Sequence, residues 1–274
     1  MQIPLTTLAV HWGPLSSPDP RVLCDFILGL MEKCGLPPTH GSGNEDRKIT
    51  TFSSFKRRWA ASRQPLDFSV FNVCAQDVRG GYITDYEFVG ALNRRRILVI
   101  SAVAGRYDEI LDWPKVCAEV YRLAPFAYGY AHVSLRSTGP YLDACGLSFQ
   151  SEIRAPTKED FYRSRLNHWA DIAMRGGRWN RPEIVYALRS VYPLQFITKR
   201  HFELRVGRQG LRRWIESDPR RGTLEPIADG CWAWRVEGDE NLESVRLALY
   251  RAGLLWAWWP FGEEEPDSDR PLGR

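Results

Sequence analysis

The chain is poor in the residues and spacings on which most familiar chemistries depend. Among its 274 residues are five histidines, six cysteines and three methionines. The histidines (His11, His40, His132, His168, His201) stand alone, with no H-E-x-x-H or H-x-H, and the cysteines (Cys24, Cys34, Cys74, Cys117, Cys145, Cys231) include no C-x-x-C. Zinc sites built from neighbouring ligands need such spacings, so no metal is expected unless distant residues assemble one. Neither G-x-G-x-x-G nor G-x-x-x-x-G-K-[ST] occurs, which removes the usual phosphate cradle and leaves Gly41-Ser42-Gly43 as a plain loop. The serine-hydrolase signature G-x-S-x-G is also missing. Asp46-Arg47-Lys48 has the acid-x-lysine form of a restriction-type nuclease but sits in a polar loop, where solvated charge is the better reading. No cofactor is expected.

Long apolar runs are absent as well. The longest, such as Ile97 to Ala104, fall far below the ~20 residues of a membrane helix, and Met-Gln-Ile-Pro-Leu lacks the form of a signal peptide. Cys24, Cys74, Cys117 and Cys231 lie among apolar neighbours, as buried free thiols do. A disulfide framework does not suit so long a chain. The expectation is a cytoplasmic protein with no membrane partner.

Charge is present but dispersed. The chain carries +4, and its last thirteen residues hold five acids and two arginines, leaving +7 on residues 1–261. The doublet Arg57-Arg58 and triplet Arg94-Arg95-Arg96 are short and the other arginines scattered, so solvated surface is expected rather than direct nucleic-acid binding.

The hydrophobic pattern alternates between two periods. Thr6 to Trp12 reads as a strand. Asp19 and Pro20 then start a helix that buries Val22, Leu23, Phe26, Ile27, Leu30 and Met31 and stops at Gly35. Thr39 to Lys48 reads as a mobile loop, followed by an amphipathic stretch to Trp59 and by strands at Asp67–Cys74, Tyr82–Leu92 and Arg96–Val103. The third strand is apolar on both faces and belongs in the middle of the sheet. Asp112 caps a helix running to Pro125, and Phe126–Arg136 forms another strand. In the second half, helices are expected from Thr157 to Gly176 and from Pro182 to Val191. A strand follows at Leu194–Thr198, then a short helix at Leu211–Glu216. Leu224–Ala228 and Cys231–Val236 form a hairpin across Asp229-Gly230, and a last helix, capped by Asn241, ends at Gly253. The class is α+β, with halves at residues 1–154 and 155–261 packed as one unit and a flexible acidic tail at 262–274.

Eleven tryptophans are unusual for this length. Trp59, Trp113, Trp169, Trp214, Trp232 and Trp234 fall at core or half-buried positions. The terminal run from Trp256 to Phe261 would expose aromatics on both faces of a strand, and Trp258 within it is either core or a contact for a partner or a second copy of the chain. His132, inside its strand, is read as an interior histidine rather than a base.

Two segments resemble the immunity protein 52 family. They are Phe126-Ala-Tyr-Gly-Tyr-Ala-His-Val-Ser-Leu-Arg136 and the stretch Leu211 to Trp234 with its Trp-Ile-Glu-Ser-Asp-Pro helix end, followed by a closing helix with Arg251-Ala-Gly253. The resemblance implies a protein that binds and neutralises a cognate toxin, commonly a restriction-endonuclease-like nuclease delivered by type VI secretion. It brings no catalytic residues. Candidate partner contacts come from the residues themselves: Arg178, Trp179 and Arg181 between two predicted helices, Asp239 and Glu240 in the loop before the last helix, and Trp258. Asp77, Asp85 and Glu87 form an alternative acidic patch. The competing readings are a hydrolase or nuclease with a dispersed site, which needs a pocket of titratable groups, and a nucleic-acid-binding regulator, which needs arginines gathered on one face.

Overall fold

The computed structural model describes residues 3–12, 16–43, 48–73, 78–79, 82–83, 85–94, 96–136 and 188–255. Its centre is a ten-stranded antiparallel sheet in the order β13-β14-β10-β9-β1-β8-β7-β4-β2-β3. The strands are β1 (Pro4–His11), β2 (His40–Gly43), β3 (Thr50–Thr51), β4 (Phe68–Val73), β7 (Tyr86–Leu92), β8 (Ile97–Val103), β9 (Tyr128–Leu135), β10 (Leu194–Thr198), β13 (Thr223–Ala228) and β14 (Cys231–Arg235). Two small hairpins stand outside it, β5 (Val78–Arg79) with β6 (Tyr82–Ile83) and β11 (Arg205–Val206) with β12 (Gln209–Gly210). The described residues include five α-helices: α1 (Pro20–Lys33), α2 (Phe52–Ala61), α3 (Trp113–Leu123), α4 (Leu211–Glu216) and α5 (Asp239–Arg251). The class is α+β, as the sequence pattern predicts.

Both faces of the sheet are covered, which is why β8 is apolar on both faces apart from Ser101, whose hydroxyl pairs with that of Thr7 at 2.9 Å. Leu98 and Ile100 turn to the face under α1, α2 and α3, where Leu23, Ile27, Phe55 and Val116 join one core. Ile97 and Val99 turn to the opposite face, packed with Trp214 of α4 and with Val245 and Leu249 of α5. Alternation along a strand sends successive side chains to opposite cores, so a slip of one residue would exchange them. Local chemistry fixes the helices. Asp19 accepts from the Arg21 amide at the start of α1, and Asp112 accepts from the Lys115 amide at the start of α3.

Five expectations need correction. Val22 is 41% exposed, because the buried stripe of α1 centres on Leu23, Ile27, Leu30 and Met31 and leaves Val22 at its margin. The expected loop at Thr39–Lys48 contains β2, which pairs with β4 from His40↔Phe71 to Gly43↔Phe68. Glycine suits this strand: a Cβ on Gly41 would meet the Phe55 ring at 2.6 Å. The expected strand Tyr82–Leu92 is divided, with β6 pairing with β5 and β7 beginning at Tyr86. The expected helix does not continue to Val191, because Leu188 forms a parallel bridge with Leu255 and its amide donates to the Leu254 carbonyl at 3.1 Å. Finally, Gly238 (φ 82°) rather than Asn241 caps α5, while the Asn241 side chain donates to the Glu237 carbonyl at 2.9 Å. The expected helix from Thr157 to Gly176, the boundary between residues 154 and 155, and the acidic tail lie outside the described residues.

Candidate functional site

The residues that chemistry would choose first are gathered on one face of the sheet. Register places Thr7 opposite His132, Ala9 opposite Tyr130 and His11 opposite Tyr128 across β1 and β9. The next pairing sets Gln195 opposite Tyr130 across β9 and β10. Same-face alternation therefore assembles a seam of His11, Tyr128, Tyr130 and His132, which Tyr192 and His201 join from neighbouring segments. Tyr130 and Tyr192 stack at 4.1 Å and 9°, His11 lies 5.7 Å from Tyr130, and His201 lies 5.9 Å from Tyr128. The Tyr128 hydroxyl donates to Gln195 Oε1 at 3.0 Å. Arg189, itself buried, donates to the Tyr130 hydroxyl and lies over that ring.

Burial sets the protonation of two members of this seam. It lowers His201 to about 4 and pushes the Tyr128 hydroxyl well above its ordinary range. The Thr198 amide donates to His201 Nδ1 at 3.0 Å, which leaves the ring proton of the neutral form on Nε2. A general base works best with a pKa near the operating pH and a path to substrate, and His201 is fully buried with neither. The polar contacts among these side chains, Tyr128 to Gln195 and Arg189 to Tyr130, tie β9 to β10 and to the segment before it. His132 is half-buried rather than interior, with its ring 5.5 Å from Tyr130 and 5.4 Å from Tyr192 at the end of the seam.

The thiols follow the same rule. Cys24, Cys117 and Cys231 are buried and free, and burial raises Cys24 and Cys231 to about 12 and pushes Cys117 well above the ordinary thiol range. Cys34 is free and partly buried, whereas Cys74 and Cys145 lie outside the described residues. Among the described residues no group of three His, Cys, Asp or Glu side chains is placed to hold a metal ion. Trp113, Trp214 and Trp234 are buried, and Trp59 and Trp232 pack at the margins of the two cores.

Of the partner contacts nominated from sequence, Arg178, Trp179, Arg181 and Trp258 lie outside the described residues, as do Trp169 and Asp77. Asp239 and Glu240 are exposed but occupy the first turn of α5 rather than a loop. Carboxylates there meet the positive end of the helix dipole, worth about 0.3–1 kcal/mol each, so their position has a local structural cause. Asp85 and Glu87 are engaged within the molecule. Asp85 pairs with Arg136, and Glu87 accepts from Arg106 and from the Tyr107 hydroxyl, both at 2.5 Å.

A reading tuned to runs of like charge misses a dispersed basic stretch in the second half of the chain. Residues 199–221 contain eight basic and three acidic side chains, a balance of +5, against +4 for the whole sequence. A window of about twenty residues detects it; doublets and triplets do not, because loops and turns separate the arginines.

No family model matches the chain, and no curated protein matches it. Among solved structures it is similar to one described as Pseudomonas aeruginosa T6SS protein PA0821, with a TM-score of 0.54 and 14% identity. The match covers 99% of this chain and 79% of that one, and at such identity it is a likeness of fold.

Proposed function

We propose that this chain is an immunity protein of a type VI secretion system, which binds a cognate nuclease toxin in the cytoplasm and neutralises it by protein–protein interaction. The observation that carries the reading is the fold likeness, over 99% of the chain, to a protein of that secretion system. The resemblance of the Phe126–Arg136 and Leu211–Trp234 segments to the immunity protein 52 family supports the finer assignment. The chemistry of the described residues agrees with a binder. Tyr128 and His201 are buried and held neutral, whereas Lys199, Arg205, Arg208 and Arg213 are exposed. Association between proteins draws on such a surface, with arginine prominent among the residues that dominate binding energy.

Co-purification with the product of the adjacent gene, followed by a nuclease assay on that product with and without this chain, tests the reading. The expected result is a stable complex in which the neighbour's activity is lost. A neighbour that stays active in the presence of the chain, or nuclease activity from the chain alone, would overturn it.

A further inference from the structure

The balance of +5 over residues 199–221 is concentrated in space as well as in sequence. Lys199 and Arg200 sit on the 3-10 turn Lys199–Glu203, and Arg205 and Arg208 on the β11–β12 hairpin. Arg212 and Arg213 belong to α4, and Arg220 and Arg221 to the 3-10 turn Pro219–Arg221. Helix α4 packs against both turns and the hairpin, so the four elements form one ridge. Seven of the eight basic side chains are exposed and Arg221 is half-buried.

The ridge is partly pre-formed. Arg212 lies over the Phe202 ring at 5.4 Å and pairs with Glu216 at 2.8 Å. Arg221 lies over Trp214 at 4.4 Å and donates to the Trp214 carbonyl and to Ser217 Oγ. Arginines already held on aromatic faces lose less freedom when a partner arrives. Among the described residues no ion pair is recorded for Lys199, Arg205, Arg208 or Arg213, which leaves the hairpin side of the ridge with uncompensated charge.

We infer that this ridge is a docking surface for an acidic face of a partner protein. Three features favour a protein over nucleic acid. Glu203, Glu216 and Asp218 are interleaved with the cations and would repel a phosphate backbone, whereas a protein face can offer basic groups to them. Guanidinium groups cover the Phe202 and Trp214 rings, which removes those platforms for base stacking. The α4 helix is six residues long, a single short turn region rather than a groove-filling element. The inference deepens the partner-binding reading and rests on it for the biological identity of the occupant.

Two triple variants with the same change in net charge test it. One reverses the ridge (Arg205→Glu, Arg208→Glu, Arg213→Glu); the other reverses exposed cations on α1, α2 and α3 (Lys33→Glu, Arg57→Glu, Arg122→Glu). Fluorescence anisotropy with a labelled poly-glutamate peptide and with a DNA duplex, at physiological ionic strength, gives the readout; thermal unfolding checks that both variants fold. The ridge variant is expected to weaken peptide binding by at least about tenfold and the control by no more than about twofold. Equal losses in both variants, no peptide binding by the unmodified chain, or tighter binding of the duplex would overturn the inference. Assayed against the adjacent gene's product, the ridge variant separates the two claims. A complex unchanged by ridge reversal removes the ridge and leaves the partner reading standing, whereas peptide binding without any such complex does the reverse.

Discussion

The Arg221 guanidinium lies 4.4 Å above the Trp214 ring and donates to the Trp214 carbonyl at 2.8 Å, tying the turn after α4 back onto the helix. Trp214 belongs to the core shared with α5, and Trp234 Nε1 donates to the Arg221 carbonyl at 2.8 Å. One residue therefore joins the ridge to the sheet. Arg221→Ala removes the ring contact and two side-chain hydrogen bonds and should cost about 1–2 kcal/mol, read as a lower urea midpoint at unchanged slope. An unchanged midpoint would mean that the turn holds itself.

Gly90 on β7 shows how closely α1 approaches the sheet: a Cβ there would come within 2.3 Å of Ile27 Cγ2. Gly90→Ala should destabilise by about 1–3 kcal/mol through overpacking. The added cost should shrink in an Ile27→Ala background, where the opposing atoms are gone, and a double-mutant cycle by denaturant titration measures that coupling. Additive effects would place the strain elsewhere.

His201 gives a pH dependence of definite sign. Its folded-state pKa is depressed from 6.5 to about 4, so the unfolded chain binds the extra proton between those values. The contribution of its neutral burial is full above pH 6.5 and is lost as pH falls toward 4, by up to about 3 kcal/mol. His201→Asn, whose side-chain oxygen can accept the same Thr198 amide, should flatten that part of the stability profile. Parallel profiles for the two proteins would contradict the assignment.

Tyr128→Phe isolates the buried seam. The hydroxyl that donates to Gln195 Oε1 disappears while the ring contacts with His11 and Tyr130 stay. Leaving a fully buried acceptor without its donor should cost about 1–3 kcal/mol in chemical denaturation, with any partner binding preserved in the folded protein. A loss of binding without a loss of stability would move the seam from structure to function.

Local signals carried the elements that local physics decides. Asp19 before Pro20, Asp112 before Pro114, and Asp229-Gly230 between alternating apolar runs each mark a terminus or turn found in the structure. Elements set by distant partners were not legible. β2 has no strand composition and exists because β4 offers its edge, and Leu188 leaves the helical pattern to bridge Leu255. The strand order, with β1 between β8 and β9, depends on pairings across most of the chain. The surface obeys the same rule. Asp239 and Glu240 were visible as acids but not as a helix start, and the arginines of the ridge become neighbours only once α4, its hairpin and its flanking turns fold together.

The most direct test of partner binding is an isothermal titration of the adjacent gene's purified product with this chain. The expected result is saturable one-to-one binding with a dissociation constant at or below about 10⁻⁸ M, together with loss of the neighbour's nuclease activity at equivalence. A flat titration at micromolar protein, or a neighbour that remains fully active when saturated, would contradict it.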